Sequence, residues 1–148
     1  MLGKCIALAA VAHEDDVDKG GHAYILHPIR IMMRLRTDDE ELMAMAILHD
    51  VLEDHPELAK REFSKLELST RVLCGLDCLT HGKGESYDSY LSRVATNYDA
   101  ILVKLEDLRD NSCLTRLKGL RPKDFERNEK YIKAYHFLKE AKKNFNVP

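Results

Sequence analysis

With 148 residues, 45% apolar and 32% charged, the chain has the composition of an ordinary globular protein with room for one sizeable core. A net charge of −2 gives no global pull toward nucleic acid or a membrane surface, and the lack of Trp argues against base-stacking platforms. No stretch approaches the ~18 apolar residues of a membrane span.

The opening M-L-G-K-C-I-A-L-A-A-V-A imitates a signal peptide, but its apolar run is short and continues into His13, so it reads as a first helix over Leu2–His13. An acidic, glycine-bearing loop follows, E-D-D-V-D-K-G-G-H-A-Y. In H-P-I-R-I-M-M-R-L, Pro28 falls at a first helical position, which places His27 at the N-cap and Ile31 and Leu35 on the inner face. T-D-D-E predicts a capping box, with Thr37 as N-cap and Glu40 closing it, at the head of a third helix. That helix should end near Glu53 or Asp54, before His55-Pro56.

Weaker helices are expected at 59–67 and 69–79, then one from Ser86 to Ala95 after the loop T-H-G-K-G-E. A long helix over 97–118 stops at Gly119, and Pro122 opens the last, with Phe125, Ile132, Tyr135 and Leu138 as its inner stripe. Strand signals are nearly absent, which predicts one compact all-α domain. Cys5, Cys74, Cys78 and Cys113 form no Cys-x-x-Cys pair or disulfide framework, so a reduced, cytoplasmic setting is expected. Cys74 and Cys78, four apart, should share a buried face.

Three features run against local physics. A-I-L-H-D-V-L-E-D sets His49, Asp50, Glu53 and Asp54 into a segment otherwise suited to burial, with acids at a helix C-terminus, where they oppose the dipole. At ~100° per residue, Ala100, Val103, Asp107, Asn111 and Leu114 share a stripe, so Asp107 interrupts an apolar face. His27 is a third polar group at the edge of such a face. A divalent metal site of His27, His49, Asp50 and Asp107 accounts for all three, since mixed imidazole and carboxylate donors suit Mn²⁺, Fe²⁺ or Zn²⁺. Glu53 and Asp54 then stand where a group that activates water belongs. Each piece alone has a plainer reading: a helix cap, a buried Asp107–Asn111 hydrogen bond, a solvated helix end.

Together the segments Y-I-L-H-P, L-H-D-V-L-E-D and V-K-L-E-D-L-R-D-N, in that order, resemble the HD-domain phosphohydrolases. More narrowly they are similar to the hydrolase domain of RelA/SpoT proteins and the small alarmone hydrolases. The resemblance implies a single helical HD domain over 1–148, with metal ligands at His27, His49, Asp50 and Asp107. It implies Glu53 and Asp54 as the water-activating pair, and Lys19 and Asn111 as substrate contacts. The activity implied is removal of pyrophosphate from the 3′ position of ppGpp or pppGpp, usually with Mn²⁺, as in the stringent response. No nucleic-acid polymer or membrane is expected as partner. No synthetase segment is seen, so degradation alone is expected.

Two positions depart from the family pattern. Asp18 stands where an Arg precedes the loop lysine, and Leu108-Arg109-Asp110 replaces the usual residues between Asp107 and Asn111. Both fall on the nucleotide side, which leaves another HD-type phosphohydrolase, such as a 5′-nucleotidase or a 3′-phosphatase, as an alternative, and a non-catalytic nucleotide sensor as a third. An alarmone carries roughly five or more negative charges, so cations are needed near the rim. Lys19, Lys83, Lys104, Arg109, Arg116 and Lys118 are candidates. His13, His22, His55, His81 and His136 read as surface groups or as supports behind the ligands.

Overall fold

Helical spacing of apolar residues governs the chain from end to end, and the computed structural model, which describes residues 1–145, is helical accordingly. Its α-helices are α1 (Leu2–Ala12), α2 (Leu26–Arg34), α3 (Glu40–Leu48), α4 (Val51–Asp54), α5 (Pro56–Glu62), α6 (Thr70–Leu79), α7 (Tyr87–Val94), α8 (Tyr98–Asn111) and α9 (Pro122–Lys142). Single 3₁₀ turns follow α5 and α8. Among the described residues there is no strand beyond an isolated bridge between Val17 and Ala23. Positions 146–148, the end of the expected domain, lie outside the described residues.

The core is organised around α3, which packs against α1, α2, α6 and α8. Ala44 to Leu48 are all buried, and a helix that is apolar all round can only sit at the centre of a bundle. The end of the Met45 side chain fills the space a β-carbon on Gly75 of α6 would take, so α3 and α6 pack closely there. Cys5, Leu8, Ala9 and Ala12 form the buried stripe of α1, at the spacing the alanine-rich start promises.

Several boundaries differ from expectation. Asp39, not Thr37, caps α3, its carboxylate accepting from the amides of Glu41 and Leu42 at 3.0 and 3.2 Å. Thr37 instead accepts from the Asp39 amide, so the capping box is replaced by a tandem of short turns. Pro28 is the third residue of α2 rather than its first, which is tolerated because first-turn amides have no intrahelical acceptor. His27 is therefore inside the first turn, not at the N-cap. The third helix breaks at His49–Asp50 and resumes as α4.

The long helix ends at Asn111, well before Gly119, because the chain turns there to bring Arg116 back against Asp110. On α9, Phe125 and Ile132 are exposed, Tyr135 is half-buried, and Leu138 is buried together with Asp124 and Ala134. The helix packs against α8. Cys74 is exposed and Cys78 half-buried, so they share no buried face, and all four thiols are free. No helix of the described residues is long and apolar enough to cross a membrane.

Candidate metal centre

Three separate elements deliver the groups that the sequence singles out. His27 comes from the first turn of α2, His49 and Asp50 from the break between α3 and α4, and Asp107 from the third turn of α8. The His27 Nε2 lies 3.1 Å from Asp107 Oδ1 and 3.6 Å from Asp50 Oδ2. The His49 Nε2 lies 3.1 Å from Asp50 Oδ2 and 3.8 Å from Asp107 Oδ1. His27, His49 and Asp107 are buried, at 3%, 3% and 4% exposure, and Asp50 is partly open. One donor atom each from His27, His49 and Asp50 falls within 4.8 Å of the others.

The opposite edges of the two rings fix which nitrogen carries a proton. His27 Nδ1 donates to Asp110 Oδ2 at 2.7 Å, and His49 Nδ1 donates to the Ala46 carbonyl at 2.8 Å. Both acceptors lack a proton to give, so each neutral ring presents an Nε2 lone pair to the centre. The His49 Nε2 has no hydrogen-bond partner. Two lone pairs thus face two carboxylate oxygens, an arrangement stable only around positive charge. Two imidazoles and two carboxylates fit a divalent ion, whose charge the two acids balance.

Protons are the alternative source of that charge. Burial opposes a charged His49, but Asp50 and Asp107 outweigh it and push the imidazole up to about 10. Burial likewise opposes charge on Asp107, which Lys104 and the two imidazoles overcome, holding the carboxyl well below its usual range. Lys104 Nζ sits 2.7 Å from Asp107 Oδ2, leaving Oδ1 for the imidazoles and for Asn111, whose amide donates to it at 2.6 Å. Tyr24 donates its hydroxyl to Asp50 Oδ2 at 2.6 Å and orients that carboxylate.

Glu53 and Asp54 follow on α4, and both are exposed. Glu53 accepts the His81 amide at 2.9 Å. Desolvation by the surrounding protein, with the Asp50 and Glu53 carboxylates nearby, pushes the Asp54 carboxyl up. Beside His27 opens a cleft of about 310 Å³ with Lys19, Asn111, Arg116, Arg127 and Tyr131 on its walls. Burial and the neighbouring Arg127 push the Lys19 ammonium down, a sign of cations crowded around a space suited to an anion.

Other expected rim cations are placed differently. Arg109 turns away to Glu106 and the Tyr135 hydroxyl, and Lys83 is exposed in its glycine-flanked loop. Lys118 lines a separate hollow with Lys19 and Asp124, and Lys104 is committed to Asp107. Arg116 reaches the cleft but is held by the Asp110 carbonyl at 2.6 Å and by Asp18 at 3.3 Å. Asp18 also accepts the amides of Gly20 and His22, so it closes the loop that carries Lys19. An added β-carbon on Gly20 would meet the Arg116 carbonyl at 2.6 Å, which is why glycine stands there.

Several working groups escaped the sequence reading. Asp110 is fully buried and orients His27, yet its only signal was a position three residues after Asp107. Tyr24, Arg127 and Tyr131 enter by tertiary approach, and only Tyr24, inside Y-I-L-H-P, lay within a quoted motif. Of the five other histidines, His13 is buried, His22 and His136 are exposed, and His55 and His81 are half-buried.

A helical domain in which a His-Asp pair meets a second histidine and a second aspartate from two other helices defines the HD-domain class. Comparison with known proteins narrows it. The chain is 30% identical, over 78% of its length, to a guanosine-3′,5′-bis(diphosphate) 3′-pyrophosphohydrolase of Haemophilus influenzae. It is 32% identical, over 82% of its length, to the protein of that name from Vibrio cholerae. It is 29% identical, again over 82%, to the bifunctional (p)ppGpp synthase/hydrolase SpoT of Escherichia coli. The match spans 18% of the length of each of these relatives. No protein-family model matches the chain. The chain belongs to the RelA/SpoT hydrolase family of HD domains.

Proposed function

We propose that the protein is a metal-dependent hydrolase of guanosine 3′-pyrophosphate nucleotides, yielding GDP or GTP and pyrophosphate. The observation that carries this reading is the convergence of the His27, His49, Asp50 and Asp107 donor atoms, with both imidazoles turned lone pair inward. These four are the proposed ligands, with Mn²⁺ the proposed ion. The names of the relatives support the substrate, and the cationic cleft beside His27 supports a polyanion.

When bound, the ion would polarise the phosphoryl oxygens and favour ionisation of water. Asp54, with its raised affinity for protons, accepts the proton of the attacking water while Glu53 orients it. The water oxygen bonds to the phosphorus next to O3′, the O3′–P bond breaks, and O3′ takes up a proton as pyrophosphate leaves. Lys19 and Arg127 neutralise the phosphates, and Asn111 borders both the cleft and Asp107. Reaction in a reducing, cytoplasmic setting accords with the four free thiols.

A second reading rests on the Asp18–Arg116 contact, which takes one cation away from the cleft. It is that of an HD-type phosphohydrolase acting on a less charged nucleotide. Incubation with Mn²⁺ and a nucleotide panel, with products separated by ion exchange, decides. GDP and pyrophosphate from ppGpp support the first reading. Nucleoside and orthophosphate from monophosphates support the second, and tight ppGpp binding without turnover contradicts both.

A further inference from the structure

A second cluster of metal-ligating side chains lies on the other side of Tyr24. His13, at the C-terminal end of α1, Asp16 in the following loop, and His55, between α4 and α5, each offer a donor atom within 4.8 Å of the others. One oxygen, Asp16 Oδ2, is shared by His13 Nδ1 at 2.8 Å and His55 Nε2 at 2.7 Å. The two rings stand 5.0 Å apart at 73°, splayed around that oxygen rather than stacked. His13 is 1% exposed, and its remaining nitrogen, Nε2, has no partner.

A structural role alone would need one imidazole on Asp16. Two imidazole nitrogens, His13 Nδ1 and His55 Nε2, turned onto a single carboxylate oxygen form instead a two-nitrogen, one-oxygen face. We infer that His13, Asp16 and His55 form a second divalent-cation site, suited to a zinc-like transition ion. Imidazole pairs with one carboxylate favour such ions, and three protein ligands leave a position open. Bonds of ~2.0–2.2 Å to a tetrahedral ion separate its ligands by ~3.4 Å, so Asp16 must draw back by ~0.6 Å from its present contacts. Asp16 is on a loop with its side chain 38% exposed, which leaves it that freedom.

The position gives the site a purpose. The Asp16 carbonyl accepts the Tyr24 amide at 2.9 Å, and Tyr24 in turn holds Asp50. Its ring also packs on His13 and His27, with centroids 4.8 and 5.5 Å away. His55 directly follows Asp54. A cation here would tie the end of α1 and the loop to the segment that carries the Glu53–Asp54 pair.

Equilibrium dialysis of the full chain against Zn²⁺, with metal analysis, tests the site. His55→Gln and Asp16→Asn should each lose one equivalent relative to the wild type, with no change in the complement lost by Asp107→Asn. Circular dichroism melts establish that each variant is folded; if His55→Gln is not, Asp16→Asn on its exposed loop decides. Retention of the full wild-type complement by the folded variants overturns the inference. Loss in Asp107→Asn reports only the first centre, so failure of one site is distinguishable from failure of the other.

Discussion

His27 Nδ1 stands 2.7 Å from Asp110 Oδ2, and the same carboxylate is gripped by Arg30 at 2.9 Å, Arg34 at 3.1 Å and Arg116 at 3.2 Å. Three guanidiniums keep Asp110 ionised, and the ionised acid keeps the proton of His27 on Nδ1. The inward lone pair of His27 thus depends on a residue that never reaches the centre. Asp110→Asn should weaken Mn²⁺ binding by ~10- to 100-fold, the usual cost of removing the partner of a ligating imidazole. Titration followed by the resonance of free Mn²⁺ checks this, and unchanged affinity would remove Asp110 from the account.

Glu53→Gln separates chemistry from metal binding. The carboxylate accepts the His81 amide and touches none of the proposed ligands. Turnover should fall by ~10²-fold, the cost of leaving the attacking water without the group that orients it. Metal content, measured after dialysis, should be unchanged.

The metal-free protein should lose stability as pH rises. The folded-state His49 imidazole is pushed up to about 10, above its ordinary value near 6.5, and His27 is shifted in the same direction. A raised imidazole contributes stability in full below the unfolded value, and that contribution disappears as pH climbs through the folded one. Melting temperature without metal should therefore decline between about pH 6.5 and 10. Across the same window Mn²⁺ affinity should increase, because the ion replaces protons, and calorimetry in buffers of different ionisation enthalpy should show their release.

Asp18→Asn keeps an acceptor for the Gly20 and His22 amides but no longer neutralises Arg116. KM for polyphosphorylated nucleotides should drop by about two- to fivefold, as expected for releasing a partly exposed ion pair. Steady-state kinetics on ppGpp reads this directly, and a raised KM would mean that Asp18 serves the substrate itself.

On α9 the expected inner stripe holds at Leu138 and fails at Phe125 and Ile132. Leu138→Ala should cost about 2–4 kcal/mol in denaturant unfolding, whereas Phe125→Ala should stay within about 0.5 kcal/mol. Leu138 is fully buried and Phe125 is 54% exposed.

Much of this was legible in the sequence because the informative residues broke local rules. An acid on the apolar stripe of α8 and a His-Asp pair at a helix end have no local reason to be there, and both converge with His27. Helix starts expected at 69, 86 and 97 fall at the capping residues Ser69, Ser86 and Asn97. Illegible were features decided by tertiary approach. T-D-D-E was read with Thr37 as the cap, but Asp39 caps the helix and pairs with Arg71, from α6, at 2.7 Å. Asp110 was read with the departures on the nucleotide side, but Arg30, Arg34 and Arg116 close over it and its carboxylate faces His27 instead. Arg127 and Tyr131 reach the cleft from a helix whose residues are mostly solvated.

The most direct test is a crystal soaked in Mn²⁺ and measured for anomalous scattering. A peak about 2.0–2.3 Å from the Nε2 atoms of His27 and His49 and from an oxygen each of Asp50 and Asp107 is the predicted result. No peak among these four atoms in a crystal that binds the ion elsewhere would contradict it.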